Sequence, residues 1–308
     1  MKKVFIDGRA GTTGLRIEER LKCRDDVELL TLPEELRKDA AARKQIINAA
    51  DYVFLCLPDA AAIEAVSMVE NPEVCIIDAS TAHRTNDDWA YGFPELGSAF
   101  EEKIIKSKRI AVPGCHASGF IALVYPLIES GILSKDALLT AHSLTGYSGG
   151  GKAMIADYQN EERCELLNAP RQYALTQKHK HLPEMAKITG LKNAPVFSPI
   201  VADFYSGMEV TVPLFKEFLQ FGGMEDIKEI YRQRYPAPLV SFVETDENGF
   251  LSAGKLTGKD CMEIQVCGND DRMILVARYD NLGKGASGAA IECFNVKLGC
   301  DKTKTLVL

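Results

Sequence analysis

The first third of the chain alternates short apolar runs with stretches whose apolar residues recur at helical spacing. Strands are expected at residues 3–7, 27–32, 51–57, 74–78 and 109–112, with helices between them at 14–21, 36–49 and 60–69. That alternation predicts a parallel sheet covered by helices. From Cys115 onward the texture changes. A helix at 118–130 leads to a strand at 138–144, a glycine-rich loop and a helix near 154–167. Strand patterns then recur at 194–202, 208–213, 240–245, 261–268 and 272–279. Long strands with few helices between them predict an α+β arrangement on one mixed or antiparallel sheet. A last helix is expected from about 285 to 298, and no repeat or low-complexity tract interrupts the pattern.

At 308 residues and 46% hydrophobic, the chain can fill the cores of two domains or one large one. No apolar run approaches the roughly 18 residues of a membrane span. Met1-Lys2-Lys3-Val4-Phe5-Ile6-Asp7 meets a charge too early for a signal peptide and reads as the first strand. Nine cysteines with no Cys-x-x-Cys pair fit the reduced thiols of a cytoplasmic protein better than a disulfide framework or a zinc site. The net charge of -7 argues against nucleic-acid binding. It leaves an anionic small substrate open, because the field of a pocket is set locally.

Directly after the first strand stands Gly8-Arg9-Ala10-Gly11-Thr12-Thr13-Gly14, followed by a helix carrying Leu15, Ile17 and Leu21. Glycines let a backbone turn tightly against a pyrophosphate, and the helix N-terminus supplies N–H donors. The spacing is G-x-x-G-x-x-G, not the commoner G-x-G-x-x-G, and a ligand-free strand-to-helix turn is the alternative. An acid ending the second strand would favour NAD through the ribose hydroxyls. Here that strand ends Thr31-Leu32-Pro33. Arg9 could pair with a 2′-phosphate, so NADP(H) is the cofactor expected; a solvated surface arginine is the competing reading.

In Val112-Pro113-Gly114-Cys115-His116-Ala117-Ser118-Gly119 an apolar strand turns directly into a helix. The unpaired N–H groups of a first helical turn favour a thiolate, which makes Cys115 a candidate nucleophile. A small apolar core residue is the alternative. Cys56 and Cys75 read as buried strand cysteines, and the remaining six lack a comparable flank.

The glycine turn, the segment around Cys115 and Asp280-Asn281-Leu282-Gly283-Lys284-Gly285-Ala286-Ser287-Gly288 together resemble the N-acetyl-γ-glutamyl-phosphate reductases, in order and spacing along nearly the whole chain. Further matches are Asp78-Ala79-Ser80-Thr81-Ala82-His83-Arg84, Tyr91-Gly92-Phe93-Pro94-Glu95-Leu96 and His179-Lys180-His181-Leu182-Pro183-Glu184. The length and the loop Thr145-Gly146-Tyr147-Ser148-Gly149-Gly150-Gly151-Lys152 are similar to the shorter of that family's two sequence types. The wider relatives are aspartate-semialdehyde and glyceraldehyde-3-phosphate dehydrogenases. The longer type commonly has Tyr after its cysteine, where this chain has His116.

The resemblance implies reduction of N-acetyl-L-glutamyl 5-phosphate by NADPH to N-acetyl-L-glutamate 5-semialdehyde and phosphate, a step of arginine biosynthesis. An acyl phosphate carries a good leaving group, so a thiolate can displace it and form a thioester. Hydride then gives a thiohemiacetal, whose collapse needs a group titrating near neutral pH. By its His-x-Pro-Glu context His181 is that acid/base, with His179 the runner-up and a candidate substrate contact. The two lie on one face of an extended segment at metal-ligand spacing, but no third ligand stands nearby and no metal is expected. His116 points about 100° away from Cys115 on a helix, which favours a structural role. His83 and His142 read as ordinary polar residues of a loop and a strand.

Candidate contacts to an anionic substrate are Ser148, Gly149 and Lys152, which can form a nest of N–H groups, a hydroxyl and an ammonium; a flexible glycine loop is the alternative. Arg84, after Ser80 at the end of a strand, could clamp a carboxylate or phosphate bidentately, with a surface salt bridge as the alternative. By the resemblance Asn281 reaches the nicotinamide amide, and Gly283 and Pro58 join Gly8, Arg9, Gly11, Thr12, Thr13 and Gly14 around the dinucleotide. Close packing of the last helix explains Gly283, Gly285 and Gly288 equally well.

The fold class expected is α/β: a Rossmann-type dinucleotide-binding domain over 1–113 completed by a C-terminal helix within 284–308, and an α+β catalytic and dimerisation domain with a mixed sheet over 114–283. The resemblance implies a homodimer or homotetramer acting on a small acyl phosphate; a cytoplasmic location with no nucleic-acid or membrane partner is expected. The rivals are the same chemistry on aspartyl phosphate or a carrier-linked aminoadipyl phosphate, and a non-catalytic regulator that senses the dinucleotide.

Overall fold

The computed structural model describes residues 1–244 and 248–308. It divides into two compact units, one of Met1–Pro94, Ser98–Gly114 and Ala286–Leu306, the other of Glu95–Gly97, Cys115–Gly285 and Val307–Leu308. No helix among the described residues is long and apolar enough to cross a membrane.

In the first unit β1 (Lys2–Asp7), β2 (Val27–Leu30), β3 (Tyr52–Leu55), β4 (Cys75–Asp78), β5 (Ala90–Tyr91) and β6 (Arg109–Ala111) form a sheet in the order β2-β1-β3-β4-β6-β5. Every pair is parallel. Helices α1 (Thr12–Lys22), α2 (Ala40–Ala49), α3 (Asp59–Ser67) and α4 (Ser98–Lys106) connect the strands. Alternation along each strand decides which helix a side chain meets. Val4, Ile6, Phe54 and Ile77 pack with Ile17, Ile104 and the C-terminal Phe294, whereas Phe5, Val53 and Ile76 pack with Ile47, Ala62 and Ala65. Each fully buried Val, Ile or Phe among them contributes about 1.5–3 kcal/mol, and with both faces covered the strand cores read as continuous apolar runs.

The short strands β5 and Arg171–Gln172 and helices α4, Leu182–Thr189 and Met224–Arg234 are not among the expected elements, and two departures in the first unit have local causes. The helix foreseen from residue 36 begins at Ala40, because Asp39 accepts from the Ala42 N–H at 2.7 Å and caps it there. Helix α4 was not foreseen; of its residues only Ile104 is buried, too little for a periodic signal.

The second unit carries α5 (Cys115–Glu129), β7 (Thr140–Gly146), α6 (Gly151–Gln159), β8 (Arg171–Gln172), α7 (Leu182–Thr189), β9 (Val196–Ala202), β10 (Met208–Phe215), α8 (Met224–Arg234), β11 (Val240–Phe242), β12 (Met262–Gly268) and β13 (Arg272–Tyr279). Its seven strands run in the order β11-β12-β13-β10-β7-β9-β8. The pairs β11 with β12 and β7 with β9 are parallel and the others antiparallel, so the sheet is mixed, as expected. The strand pattern at 240–245 yields only β11, and Thr245 lies outside the described residues. The helix expected over 154–167 stops at Gln159, where Arg163 Nη1 donates to the Tyr158 carbonyl at 2.7 Å.

Helix α5 is buried on almost every side. Pro126 within it has no N–H to give the Ala122 carbonyl. The Tyr235 hydroxyl donates to that carbonyl at 2.7 Å, and Tyr231 of α8 donates to the Leu123 carbonyl at 2.5 Å. A π-helical turn at Gly283–Ser287 runs directly into the last α-helix, α9 (Gly288–Leu298), so the helix expected from about 285 is helical from its start.

Candidate active site

Strand β1 lies between β2 and β3, so the chain leaves it on opposite sides of the sheet, and ligands of open α/β sheets bind at the carboxyl ends beside such a reversal. Gly8 occupies that place. Its φ is +84°, and a Cβ there would lie 2.2 Å from the Cys56 carbonyl oxygen; one on Gly14 would lie 2.6 Å from the Gly8 oxygen. The turn is therefore closed by backbone against backbone. It presents Gly11 as the N-cap of α1 with no side-chain cap, leaving first-turn N–H groups for an anion. Gly11, Thr12, Thr13 and Gly14 line a cavity of about 180 Å³ together with Cys56, Leu57 and Ala79.

A larger cavity of about 460 Å³ adjoins the same turn. It is lined by Gly8, Arg9 and Pro58, and also by Arg37 and Lys38 after β2. Arg9 Nη1 lies 3.4 Å from Glu18 and Arg37 pairs with Glu34 at 2.6 Å. Asp7 also borders this cavity and is held by Arg43 at 2.9 Å. Burial still raises the Asp7 pKa, the Arg43 charge opposing it.

In the second unit Cys115 opens α5 and is half-buried. Burial pushes the thiols of Cys56 and Cys75 up to about 12 and about 11, which keeps them protonated at neutral pH. Tyr173 and Tyr279 lie close enough to Cys115 for its charge to raise both their pKa values, although burial is the larger cause. The Tyr279 hydroxyl donates to the Cys115 carbonyl at 2.5 Å.

The histidines form a cluster. His179 and His181 have ring centroids 4.7 Å apart, and the His116 ring lies 5.6 Å from the first and 5.7 Å from the second. His116, expected to be structural, is held at both ring nitrogens. Its Nδ1 shares a hydrogen bond with Ser143 Oγ at 2.6 Å and its Nε2 one with the Tyr173 hydroxyl at 2.6 Å. Burial, and next the neighbouring His179, lower its pKa to about 3, so the ring stays neutral. Burial and Lys180 lower that of His179 to about 4. His181 is buried at the start of α7, and its backbone N–H donates to His179 Nδ1 at 3.2 Å. Among the described residues no three His, Cys, Asp or Glu side chains, this cluster included, are arranged to hold a metal ion.

Ser148, Gly149 and Asn281 come together. Asn281 Nδ2 donates to Ser148 Oγ at 3.0 Å and its Oδ1 accepts from the Gly207 N–H at 2.9 Å, while a Cβ on Gly149 would lie 3.3 Å from Nδ2. The glycine-rich loop is ordered as a 3-10 turn, Tyr147–Gly150, that runs into α6, where Lys152 is exposed. Gly283 is fixed by packing, since a Cβ would overlap the Lys259 carbonyl. Ser80 and Arg84 engage their own unit. Ser80 donates to Asp78 at 2.7 Å, and Arg84 donates to the carbonyls of Val112 and Ala79, both at 2.8 Å. His83 is buried, paired with Asp78 at 2.6 Å and stacked on Trp89, so it is not an ordinary loop residue; His142 is exposed on β7.

Sequence reading did not single out Ser143, Tyr173, Tyr279, Arg37 or Lys38. The tyrosines carry no local motif. A cation pair just beyond the second strand, at 37 and 38, was a usable signal.

Two family models match the chain: semialdehyde dehydrogenase, NAD binding domain, over residues 3–104, and semialdehyde dehydrogenase, dimerisation domain, over 115–281. The fold agrees with solved structures. Aspartate semialdehyde dehydrogenase II of Vibrio cholerae, complexed with ASA, superposes with a TM-score of 0.73 at 14% identity, covering 97% of this chain and 98% of that one. The aspartate semialdehyde dehydrogenase of Candida albicans with NADP gives 0.68 at 16% identity over 97% and 99%. Fold and matched domains define an oxidoreductase of the semialdehyde dehydrogenase class, with a domain for a nicotinamide dinucleotide. The N-acetyl-gamma-glutamyl-phosphate reductase of Sinorhizobium medicae (strain WSM419) is 46% identical over 305 residues, covering 96% of this chain and 98% of that protein. N-acetyl-gamma-glutamyl-phosphate reductase 2 of Nostoc sp. is 43% identical over 311 residues, covering 96% and 97%. The chain belongs to the N-acetyl-gamma-glutamyl-phosphate reductase family.

Proposed function

We propose that this chain reduces N-acetyl-L-glutamyl 5-phosphate to N-acetyl-L-glutamate 5-semialdehyde and phosphate with NADPH, through a thioester on Cys115. The observation that carries the nucleophile assignment is the setting of that thiol, half-buried at the first turn of a buried helix, where N–H dipoles favour the thiolate. Sγ attacks the acyl carbon, the carbon–oxygen bond to phosphate breaks, and phosphate leaves with the electron pair. A bound NADPH would supply hydride to the same carbon, and a proton held on His181 passes to the oxyanion so formed, giving a thiohemiacetal. Its collapse returns the carbon–sulfur electron pair to Sγ as the hydroxyl proton passes back to His181.

The glycine turn fits the dinucleotide, since backbone packing rather than a side chain closes it and leaves Gly11 to Gly14 facing a cavity. NADP over NAD is supported by Arg9, Arg37 and Lys38 around the adjoining cavity, with no acid ending β2. Ser148, Gly149, Lys152, Ser80, Arg84 and His179 remain candidates for the substrate, with Asn281 for the nicotinamide. Assembly into two or four chains is part of the same reading. It is supported by the exposed Phe215, Ile274 and Val196, which the strand register puts on one sheet face.

The test is a steady-state assay in reverse, with N-acetylglutamate semialdehyde, phosphate and NADP, on parent and Cys115→Ala preparations of measured solution mass. Turnover is expected in the parent, with a loss of at least about ten-thousand-fold in the variant and unchanged cofactor binding. A parent that turns over aspartate semialdehyde instead would replace the substrate assignment.

A further inference from the structure

In an α-helix the carbonyl of one residue accepts from the N–H four positions on. At the start of α5 those groups belong to Cys115 and Gly119, and the Tyr279 hydroxyl touches both. It donates to the Cys115 carbonyl at 2.5 Å and accepts from the Gly119 N–H at 3.0 Å. The phenol is wedged at the mouth of the first turn.

Gly119 is shaped for that wedge. A Cβ there would lie 2.7 Å from the Tyr279 hydroxyl oxygen, 2.9 Å from its Cε1 and 2.8 Å from Val210 Cγ2. Glycine is a poor helix residue, and its backbone here needs no unusual φ, so close approach accounts for it. A Cβ on Gly285 would likewise lie 3.1 Å from the Cys115 Cβ and 3.4 Å from Tyr279 Cε2. Cys115 is thus bounded by the tyrosine ring and by a residue without a side chain.

A phenol that gives its one proton to the Cys115 carbonyl does not also give it to the thiolate. What it fixes is the plane of the Cys115–His116 peptide, and with it the direction of the Cys115 side chain and the His116 N–H. His116 in turn holds Tyr173 at 2.6 Å. We propose that Tyr279 is a positioning residue, whose hydroxyl holds the first turn of α5 so that the Cys115 thiol points at the acyl carbon. This rests on Cys115 being the nucleophile. The ionisable groups around the pair include Tyr173 beside Cys115 and Glu184 of α7 beside Tyr279, with His181 as the proposed proton partner.

The test compares the parent with Tyr279→Phe, which removes one oxygen, and with Gly119→Ala, whose methyl group displaces the hydroxyl without deleting it. The readouts are kcat and KM in the reverse assay, and the pH profile of alkylation at Cys115, followed by peptide mass. Both variants are expected to lose about 10- to 100-fold in kcat with KM within about twofold. The alkylation midpoint should rise by about one pH unit as the thiolate loses its aligned N–H dipoles. Parental kcat and a parental alkylation profile in either folded variant would overturn the proposal. So would failure of both variants to give a cooperative melt, which would assign the hydroxyl to stability. A parent inactive on this aldehyde sinks the substrate reading alone, because the alkylation profile needs no substrate.

Discussion

Seven consecutive residues, 8 to 14, make the cradle of the first unit, whereas the thiol site of the second draws Cys115, Ser143, Tyr173, the His179–His181 segment and Tyr279 from separate parts of the chain. Its two ends, Cys115 and Tyr279, lie 164 positions apart. The cradle is closed by bonds within itself and to one neighbouring strand: Gly11 N–H donates to the Gly8 carbonyl at 3.0 Å, and Gly8 abuts the Cys56 carbonyl. The thiol site exists only once the mixed sheet has paired β7 with β10 and β10 with β13. Local closure demands particular residues at particular spacing, so it leaves a motif. Assembly across a sheet demands only that the right side chains arrive.

The largest effect should come from breaking each region by a single methyl-scale change. Gly8→Ala puts a side chain at φ +84° and against the Cys56 carbonyl. Backbone strain and overpacking together should cost roughly 2–5 kcal/mol. A thermal melt and a dinucleotide titration should show a destabilised first unit that binds cofactor weakly, the reverse of Cys115→Ala, which keeps binding and loses turnover. Parental stability in Gly8→Ala would mean that the turn relaxes and is not held by its glycine.

The contrast also explains how far the sequence could be read. Both sheets, the cradle and Cys115 were visible, because periodicity and a strand-to-helix turn are local properties. His181 was visible only through its His-x-Pro-Glu segment. His116 reads as a structural residue turned from Cys115, and nothing local shows that α7 and the segment after β8 bring His179 and His181 to it. Arg84 reads as a candidate anion clamp, and nothing in its segment shows that the Val112 and Ala79 carbonyls take two of its donors. Tyr173 and Tyr279 were silent, since a tyrosine in a strand is ordinary until its hydroxyl finds a partner.

The next effect concerns pH. His116 titrates near 6.5 unfolded and at about 3 folded, so between those values the unfolded chain binds a proton that the folded chain refuses. Stability is then fully present above about pH 6.5 and is lost as pH falls toward 3. From pH 7 to pH 5 this one group should cost about 2 kcal/mol. His179, lowered to about 4, adds a loss of the same sign over the same interval. Urea unfolding of His116→Gln should give lower stability at pH 7, where the Ser143 and Tyr173 bonds are weakened, but a fall to pH 5 that is smaller than the parent's by about 2 kcal/mol. An equal fall in both proteins would show that His116 takes up a proton in the folded state.

The smallest effect returns to the first unit and asks whether its legibility stops at the turn. Arg37 and Lys38 lie outside the glycine motif, yet share the larger cavity with Arg9. Arg9 and Arg37 each face a carboxylate already, at 3.4 and 2.6 Å, which weakens what either offers to a second anion. Under the proposed NADP preference, Lys38→Ala should therefore raise KM for NADPH as much as Arg37→Ala does. Each exposed contact with a 2′-phosphate is worth about 1 kcal/mol, or roughly a fivefold rise in KM, and should shrink at high salt. KM for NADH, which has no phosphate there, should move by less than about twofold. Equal rises for both cofactors would instead assign Arg37 and Lys38 to the shape of the cavity, and the preference for NADP would then rest on Arg9 alone.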